Sequence, residues 1–296
     1  MNILVIGSAN ADLVITTEIM PVLGQTVTGQ DFSVNAGGKG LNQAVAISKL
    51  GGNVSFLGLM GDDPNGKMLM DTFSKYGVQF AGKALEDFPT GVAVITVAGA
   101  DNCIILSAGA NDKVTQEFIE ENADLIDSAD YIVLQLEIPI DTITKICQLA
   151  KAGKAKVILN PAPYKELPEE IYRLVDYLIP NEHEACDLTG IKLDSRENCI
   201  EAVKKLQIMG VPNVIITLGE QGCVYNYEGE IIFHPAQKTT AVDTTSAGDS
   251  FIGALTVKLS EGVSLPDAIA YASKVSAITV SRKGAAKSIP YKNEVL

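Results

Sequence analysis

Two histidines, His183 and His234, stand in 296 residues, too little material for a zincin motif or a Ser-His-Asp triad. The five cysteines (Cys103, Cys147, Cys186, Cys199, Cys223) are scattered, odd in number and free of CxxC spacing. They read as reduced thiols of a cytoplasmic protein, which excludes a disulfide frame or a zinc site. Positive charge is scarce: 23 Lys and Arg face 36 Asp and Glu, a net charge of −13 that argues against a nucleic-acid or anionic-membrane partner. The most basic stretches, KAGKAKV and SRKGAAK, are short and read as helix caps or loop ends. No run of 18 apolar residues occurs, and MNILVIGSAN lacks a basic leader, so neither a membrane span nor a signal peptide is expected. Ser/Pro-rich linkers, low-complexity tracts and fixed-period repeats are also missing.

What is present is the composition of an ordinary globule, 47% hydrophobic and 20% charged, long enough to bury a substantial core. Short β-branched runs (ILVIG, VSFLGLMG, YIVLQLE, KVILNPAP, NVIITLG) alternate with helical patterns such as GLNQAVAISKLG and RENCIEAVKKLQIMG. That rhythm predicts a parallel sheet covered on both faces. In SLPDAIAYASKVSAITV, Ser264 reads as an N-cap with Pro266 in the first turn. Two stretches break the rhythm, residues 13–35 and 91–108, where extended segments with glycine turns suggest a small antiparallel sheet. It would act as a lid or pair with another subunit. The expectation is one domain over residues 1–296 with this appendage.

Several segments carry chemistry. GDDPNGKM nearly matches a phosphate-binding loop, but Met68 cannot ligate Mg²⁺, Pro64 removes an N–H, and Asp62 and Asp63 repel phosphate. It reads instead as a turn leading into a helix from Gly66. In AVDTTSAGDSFIGAL, Asp249 follows the small residues Ser246, Ala247 and Gly248 and precedes an apolar helical pattern. A carboxylate there is either a helix-start residue worth about 0.3–1 kcal/mol or the base beside a backbone anion site. NAGGKG sets Gly37, Gly38 and Gly40 around Lys39 and leads into a helix holding Asn42; tight packing or contact with a polyhydroxy ligand both explain it. GSANAD offers Asn10 and Asp12 at a strand end, where open α/β sheets bind ligands. Other predicted strands end on Glu137, Asn181 and Gly219, and Glu182 and Glu184 follow Asn181 as a solvated helix start or near a Mg²⁺ ion.

In this order GSANAD, AGGKGLNQAV, GDDPNG, AGAN, QLE, NPAP, PNEHEA, TLGEQG, DTTSAGDSF and RKGAAKSIP resemble the ribokinase family of sugar kinases over nearly the whole chain. The resemblance implies an α/β fold, a three-layer α/β/α core with a small β-sheet lid that pairs in a homodimer. It also implies ATP-dependent phosphorylation of D-ribose at the 5-hydroxyl. Carried over, Asp249 is the general base, of ordinary low pKa, and the backbone of Ser246, Ala247, Gly248 and Asp249 is the anion hole. Asn10, Asp12, Gly38, Lys39, Asn42 and Glu137 line the sugar pocket. Asn181, Thr217, Gly219, Gly222 and Gly248 hold ATP, and Glu184 meets Mg²⁺ through water. Asp243, Thr245, Thr279, Arg282, Gly284 and Ser288 correspond to a potassium site. The family signature favours Gly where this chain has Ser246, and Ser273 and Lys274 depart from the polar groups that relatives carry near adenine. Asp12 and Glu137 repel a phosphate, so a neutral sugar is favoured, with fructose, 2-deoxyribose and nucleosides as alternatives to ribose. A binding regulator without catalysis is the alternative of a different class.

Overall fold

The structure, a computed structural model, describes residues 1–99 and 101–295. Residue 100, inside the expected lid segment, and residue 296 lie outside the described residues. The main sheet is built on β1 (Asn2–Ile6), flanked by β4 (Asn53–Leu57) on one side and β10 (Tyr131–Leu134) on the other, all parallel. Beyond β4 lies β6 (Gln79–Phe80); beyond β10 follow β11 (Lys156–Leu159), β12 (Tyr177–Leu178) and β13 (Asn213–Thr217), again parallel. An antiparallel extension, β14 (Cys223–Tyr227) and β15 (Glu230–His234), completes nine strands.

Alternation sorts each strand between two cores. Leu4, Ile6, Ile132, Leu134, Val157 and Leu159 point to one face. There they meet α3 (Gln116–Glu120), α4 (Ala123–Ser128), α5 (Ile140–Ala152), α6 (Glu169–Leu174), α7 (Glu182–Thr189) and α8 (Arg196–Met209). Ile3, Val5, Tyr131, Val133 and Ile158 point to the other. That face is covered by α1 (Lys39–Lys49), α2 (Pro64–Lys75), α9 (Ala247–Ser260) and α10 (Leu265–Val280). Local chemistry sets the helix starts: Asn181 and Glu184 form a reciprocal capping box, and Ser264 caps α10 with Pro266 in its first turn. The helix expected from Gly66 starts earlier, at Pro64. Asp63 caps it by accepting from Gly66 N–H at 2.8 Å.

The appendage is a four-stranded sheet ordered β3 (Gly29–Gly37), β2 (Asn10–Thr17), β8 (Gly91–Ala98) and β9 (Asp101–Ser107). Its outer pairs are antiparallel, but the central pair, β2 and β8, is parallel, which corrects the all-antiparallel expectation. The two hairpins enter the sheet side by side, and no local turn joins β2 to β8. Within 13–35, residues 18–28 form bends and turns, not strand. Asp63 ties the root of β8 to the core, accepting from Thr90 N–H at 2.8 Å and the Thr90 hydroxyl at 2.7 Å.

Candidate active site

The chain leaves β1 toward β4 and later returns as β10 on the opposite side. The order of strands therefore reverses at β1, and a crevice opens above their carboxyl ends. Residues after β1 and β10 meet there. One Glu137 oxygen accepts from the Ser8 hydroxyl, from Lys39 N–H at 3.2 Å and from the Asn10 amide at 3.5 Å. Asn10 is fixed from behind by Asn111, whose amide donates to Asn10 Oδ1 at 2.7 Å and to Ala108 O at 3.0 Å while its oxygen takes Ala9 N–H at 3.1 Å. Asp12 lies flat against Gly37, where a Cβ would stand 2.1 Å from its Oδ2. Burial, then Glu137 and Asp249, push the Asp12 carboxyl up to about 7.

Asp249 lies in the first turn of α9, yet it caps nothing: its oxygens accept from the side chains of Asn42 (3.3 Å) and Gln43 (3.0 Å) on α1. Burial pushes its carboxyl above the ordinary carboxylate range, against the pull of Lys39 and the two amides, with Glu137 adding to the rise. The expectation of an ordinary low pKa is thus corrected, because burial arises only when α1 and α9 pack together. Burial also opposes the charge on Lys39, but Asp249, Glu137 and Glu184 overcome it and hold the ammonium above its usual range. At the start of α9, Ala247 N–H donates to Thr244 O at 3.2 Å and Ser250 N–H to Ser246 O at 2.9 Å. Between them, Gly248 and Asp249 N–H have no acceptor among the described residues. Ser246 makes this geometry with φ of 61°, makes no cap bond, and leaves its buried hydroxyl without a partner among the described residues.

Two clefts join over this turn. One, of about 420 Å³, is lined by Lys39, Asn181, Glu184, Ser246 and Asp249; the other, of about 890 Å³, by Gly222, Ala236, Thr239, Ser273 and Val280. Thr217, Gly219, Thr244, Ala247 and Gly248 line both. A Cβ at Gly219 or Gly248 would meet nothing within 4 Å, so these glycines leave the shared floor open. Gly222 is required for another reason: at φ 98° its Cβ would collide with His234 O at 2.0 Å. Asn181 bridges to Thr217 and donates through its backbone and side chain to Glu184 at 2.8 and 2.9 Å. Burial pushes the Glu184 carboxyl up, while the Asn181 N–H bond draws it down. Lys274 borders a neighbouring groove of about 380 Å³ that shares Gln237, Lys238, Thr239 and Ala277 with the larger cleft.

Beyond α10 the terminal loop returns to Asp243, which accepts from Thr245 N–H at 2.9 Å and Gly284 N–H at 2.8 Å. Ser288 is buried and donates to Ala285 O at 2.8 Å. The Thr279 hydroxyl donates to Val275 O and keeps its lone pairs, as the Ser288 hydroxyl does, whereas the Arg282 guanidinium donates to Glu294 and has no lone pair for an ion. Lys49 braces this loop from α1, reaching Ala286 O at 3.2 Å and Lys287 O at 3.4 Å between the rings of Tyr76 and Tyr291.

Sequence reasoning missed Ser8, Gln43, Asn111, Gln135 and Asn160. In GLNQAVAISKLG, Gln43 stands beside Asn42 with Ser48 and Lys49 further on, so nothing in the order of residues singles it out.

A nine-stranded, two-faced α/β sheet with a sheet lid and a glycine-lined helix turn beside a buried carboxylate is the frame of a sugar kinase. Residues 1–292 match the pfkB family carbohydrate kinases, and the chain belongs to that family. It is 42% identical over 308 residues to ribokinase of Schizosaccharomyces pombe, covering 100% of this chain and 96% of that protein. It is 36% identical to ribokinase of Haemophilus influenzae over 294 residues, 99% and 96% of the two chains. The structure of Arabidopsis thaliana ribokinase complexed with ribose and ATP superposes with a TM-score of 0.93 at 32% identity, covering 99% and 96%.

Proposed function

We propose that this chain transfers the γ-phosphoryl group of ATP to the 5-hydroxyl of D-ribose, giving D-ribose 5-phosphate and ADP. The observation that carries the proposal is Asp249. It is a buried carboxylate held by two amides, beside two N–H groups without acceptors, where the two clefts meet. The ribokinase relatives, above all the ribose and ATP complex, support the choice of substrates.

In this reading the sugar binds beside Lys39 and Asp249, where the smaller cleft borders the root of the lid, with hydroxyls accepted by Asp12 and Glu137 and met by Asn10, Gly38, Lys39 and Asn42. The larger cleft takes the base of ATP along Thr217, Gly219 and Gly222, its small lining residues fitting a flat ring, and Asn181 meets the phosphates from the smaller cleft. Asp249 accepts the proton of the attacking hydroxyl as the new bond forms, and burial, which raises its carboxyl against the pull of Lys39, makes it a better acceptor. The free N–H groups of Gly248 and Asp249, with the positive end of α9, face the phosphoryl oxygens, and Ser246 and Ala247 shape that turn. Positioning and charge stabilisation account for most of such a reaction.

Bound Mg²⁺ would neutralise phosphate charge. Both Glu184 oxygens already accept from Asn181, so Glu184 would meet the ion through water. The loop that joins Asp243 and Thr245 to Thr279, Arg282, Gly284 and Ser288 offers a carboxylate, carbonyls and a hydroxyl, an all-oxygen set suited to K⁺. A homodimer through the lid is supported by the row Leu13, Val34, Val94 and Ile105, which runs across all four strands on one face with Ile105 66% exposed.

The test is an ADP-release assay with Mg-ATP and K⁺ over D-ribose, 2-deoxyribose, D-fructose, fructose 6-phosphate and nucleosides. Saturation on ribose is expected. Turnover on another sugar alone would move the substrate, and no turnover on any would remove the reading.

A further inference from the structure

Behind Asp249 runs a chain of buried amides that no part of the reaction yet uses. Gln43 and Gln135 are fully buried and Asn160 nearly so. Gln135 Nε2 donates to Gln43 Oε1 at 2.6 Å. Gln43 Nε2 donates to Asp249 Oδ1 at 3.0 Å and to Asn160 Oδ1 at 3.3 Å. Asn160 Nδ2 ends the chain on the backbone carbonyl of Ile179 at 3.0 Å.

The order of donors and acceptors leaves one arrangement. Ile179 O accepts only, so Asn160 turns its NH₂ there and its oxygen toward Gln43. Gln135 presents an NH₂ to the Gln43 oxygen, so Gln43 can offer Asp249 only N–H. A flipped Gln43 would set oxygen against carboxylate oxygen and NH₂ against NH₂. Both ends of the chain rest on the main sheet, Gln135 just past β10 and Asn160 just past β11. Apolar side chains would pack this space without hydrogen-bond demands, and the Gln135 oxygen still finds no partner among the described residues. A core that keeps three amides here, one imperfectly satisfied, gains something other than packing.

The structure assigns Gln43, oriented by Gln135 and Asn160, as the positioning residue that aims the Asp249 carboxylate at the attacking hydroxyl. The assignment rests on the kinase reading proposed above. Other charged groups facing Asp249 are Lys39 at the start of α1, Glu137 after β10, Asp12 on the lid and Glu184 on α7. They sum to opposing effects, and the directional contacts come from Asn42 on one carboxylate oxygen and, at shorter distance, Gln43 on the other. The Gln43 hydrogen bond draws the Asp249 carboxyl down against burial, so its loss raises that pKa further and activity must fail at higher pH as the solution is acidified.

The test compares Gln43→Met, Gln43→Met with Gln135→Met, and Gln43→Glu in the full chain, by pH profiles of kcat and kcat/KM together with Tm. Gln43→Met should lower kcat roughly 10–100-fold and move the acid limb up by about one pH unit, the loss of one hydrogen bond to a charged group. KM for sugar and ATP should stay within about twofold, because a positioning loss acts in the transition state. The double variant removes the stranded Gln135 amide and should recover Tm while kcat stays low. In Gln43→Glu the introduced carboxyl still accepts from Gln135 but donates to Asp249 only when protonated, so its rate should fall as pH rises. An unchanged kcat and acid limb in Gln43→Met would overturn the assignment, as would return of kcat with Tm in the double variant. If the unchanged chain prefers another sugar, the substrate reading falls and the variants are compared on that sugar; no turnover at all would remove both.

Discussion

The core and the lid are built to opposite rules. In the core, Val5, Ile6, Val133 and Leu134 have no solvent exposure and helices cover both faces of the sheet. In the lid, all seven residues of β9 are exposed, and Phe32, Ile104 and Ile105 lie open to solvent. The candidate site straddles the boundary: Asp249, Gln43 and Glu137 belong to the core, whereas Asn10 and Asp12 begin a lid strand. A sheet with so little burial opens at small free-energy cost, while a close-packed core does not. Under the proposed function the difference becomes a division of labour, in which the core would aim the reacting groups and the lid would govern sugar access.

The largest break of that division comes from the core side. Asp249→Asn keeps the volume and the contact with Asn42 but removes the proton acceptor. We expect kcat to fall by about 10²–10⁴-fold with ATP affinity retained, measured by single-turnover phosphorylation and nucleotide titration. A variant that kept more than about a tenth of wild-type turnover would remove the base from the proposed mechanism.

A break from the lid side should act on binding and assembly rather than on chemistry. Ile105→Glu puts a charge at the β9 end of the exposed apolar row, forfeiting about 1.5–3 kcal/mol of burial for each copy if the row is an interface. The solution mass should halve at micromolar concentration and sugar KM should rise several-fold, with kcat changed less. A wild-type chain that is already monomeric, or a variant that remains dimeric with unchanged KM, would move the interface away from this face.

The same division explains what could be read from residue order. Strand runs such as YIVLQLE were legible because each core strand feeds two apolar cores and so lacks polar alternation. The parallel β2 and β8 pair was not, since its partners are separated by β3, α1, α2 and four short strands and no local turn encodes their register. Glycine-rich turns exposed Asn10, Asp12, Lys39, Asn42 and Asp249 as candidates, but GDDPNG gave up its role only in three dimensions, where Asp63 clamps Thr90 at the root of the lid. Gln43 stayed hidden because one polar residue in a helix carries no mark of what it will face. The raised pKa of Asp249 was equally illegible, being a product of burial between helices 200 residues apart in the chain.

A smaller effect tests the boundary residue Asp12. Its carboxyl is held up to about 7, so between the ordinary 3.8 and that value the folded chain holds a proton that the unfolded chain has lost. Stability contributed at this position therefore falls as pH rises through that window and levels off above it. Asp12→Asn should raise Tm relative to wild type at pH 8 and lose that advantage at pH 4. In wild type the ionised form accepts sugar hydroxyls best, so sugar KM should rise as pH falls below about 7. Equal Tm differences at both pH values would show that Asp12 is not buried by its neighbours as the geometry requires.

The smallest effect lies in the anion turn itself. Ser246 holds a left-handed conformation that costs a non-glycine residue roughly 1–2 kcal/mol, but glycine surrenders roughly 0.5–1 kcal/mol more backbone entropy on folding. Ser246→Gly should therefore raise Tm by no more than about 2 °C, the two contributions nearly offsetting. If the turn acts through the N–H groups of Gly248 and Asp249, kcat should stay within about threefold, because the backbone that presents them keeps its conformation with less strain. A tenfold loss of kcat at unchanged Tm would instead place the buried, unpartnered Ser246 hydroxyl among the groups that meet the phosphoryl oxygens. Catalysis would then rest on a side chain that the family signature lacks, and the core would aim the reaction with one more donor than its backbone supplies.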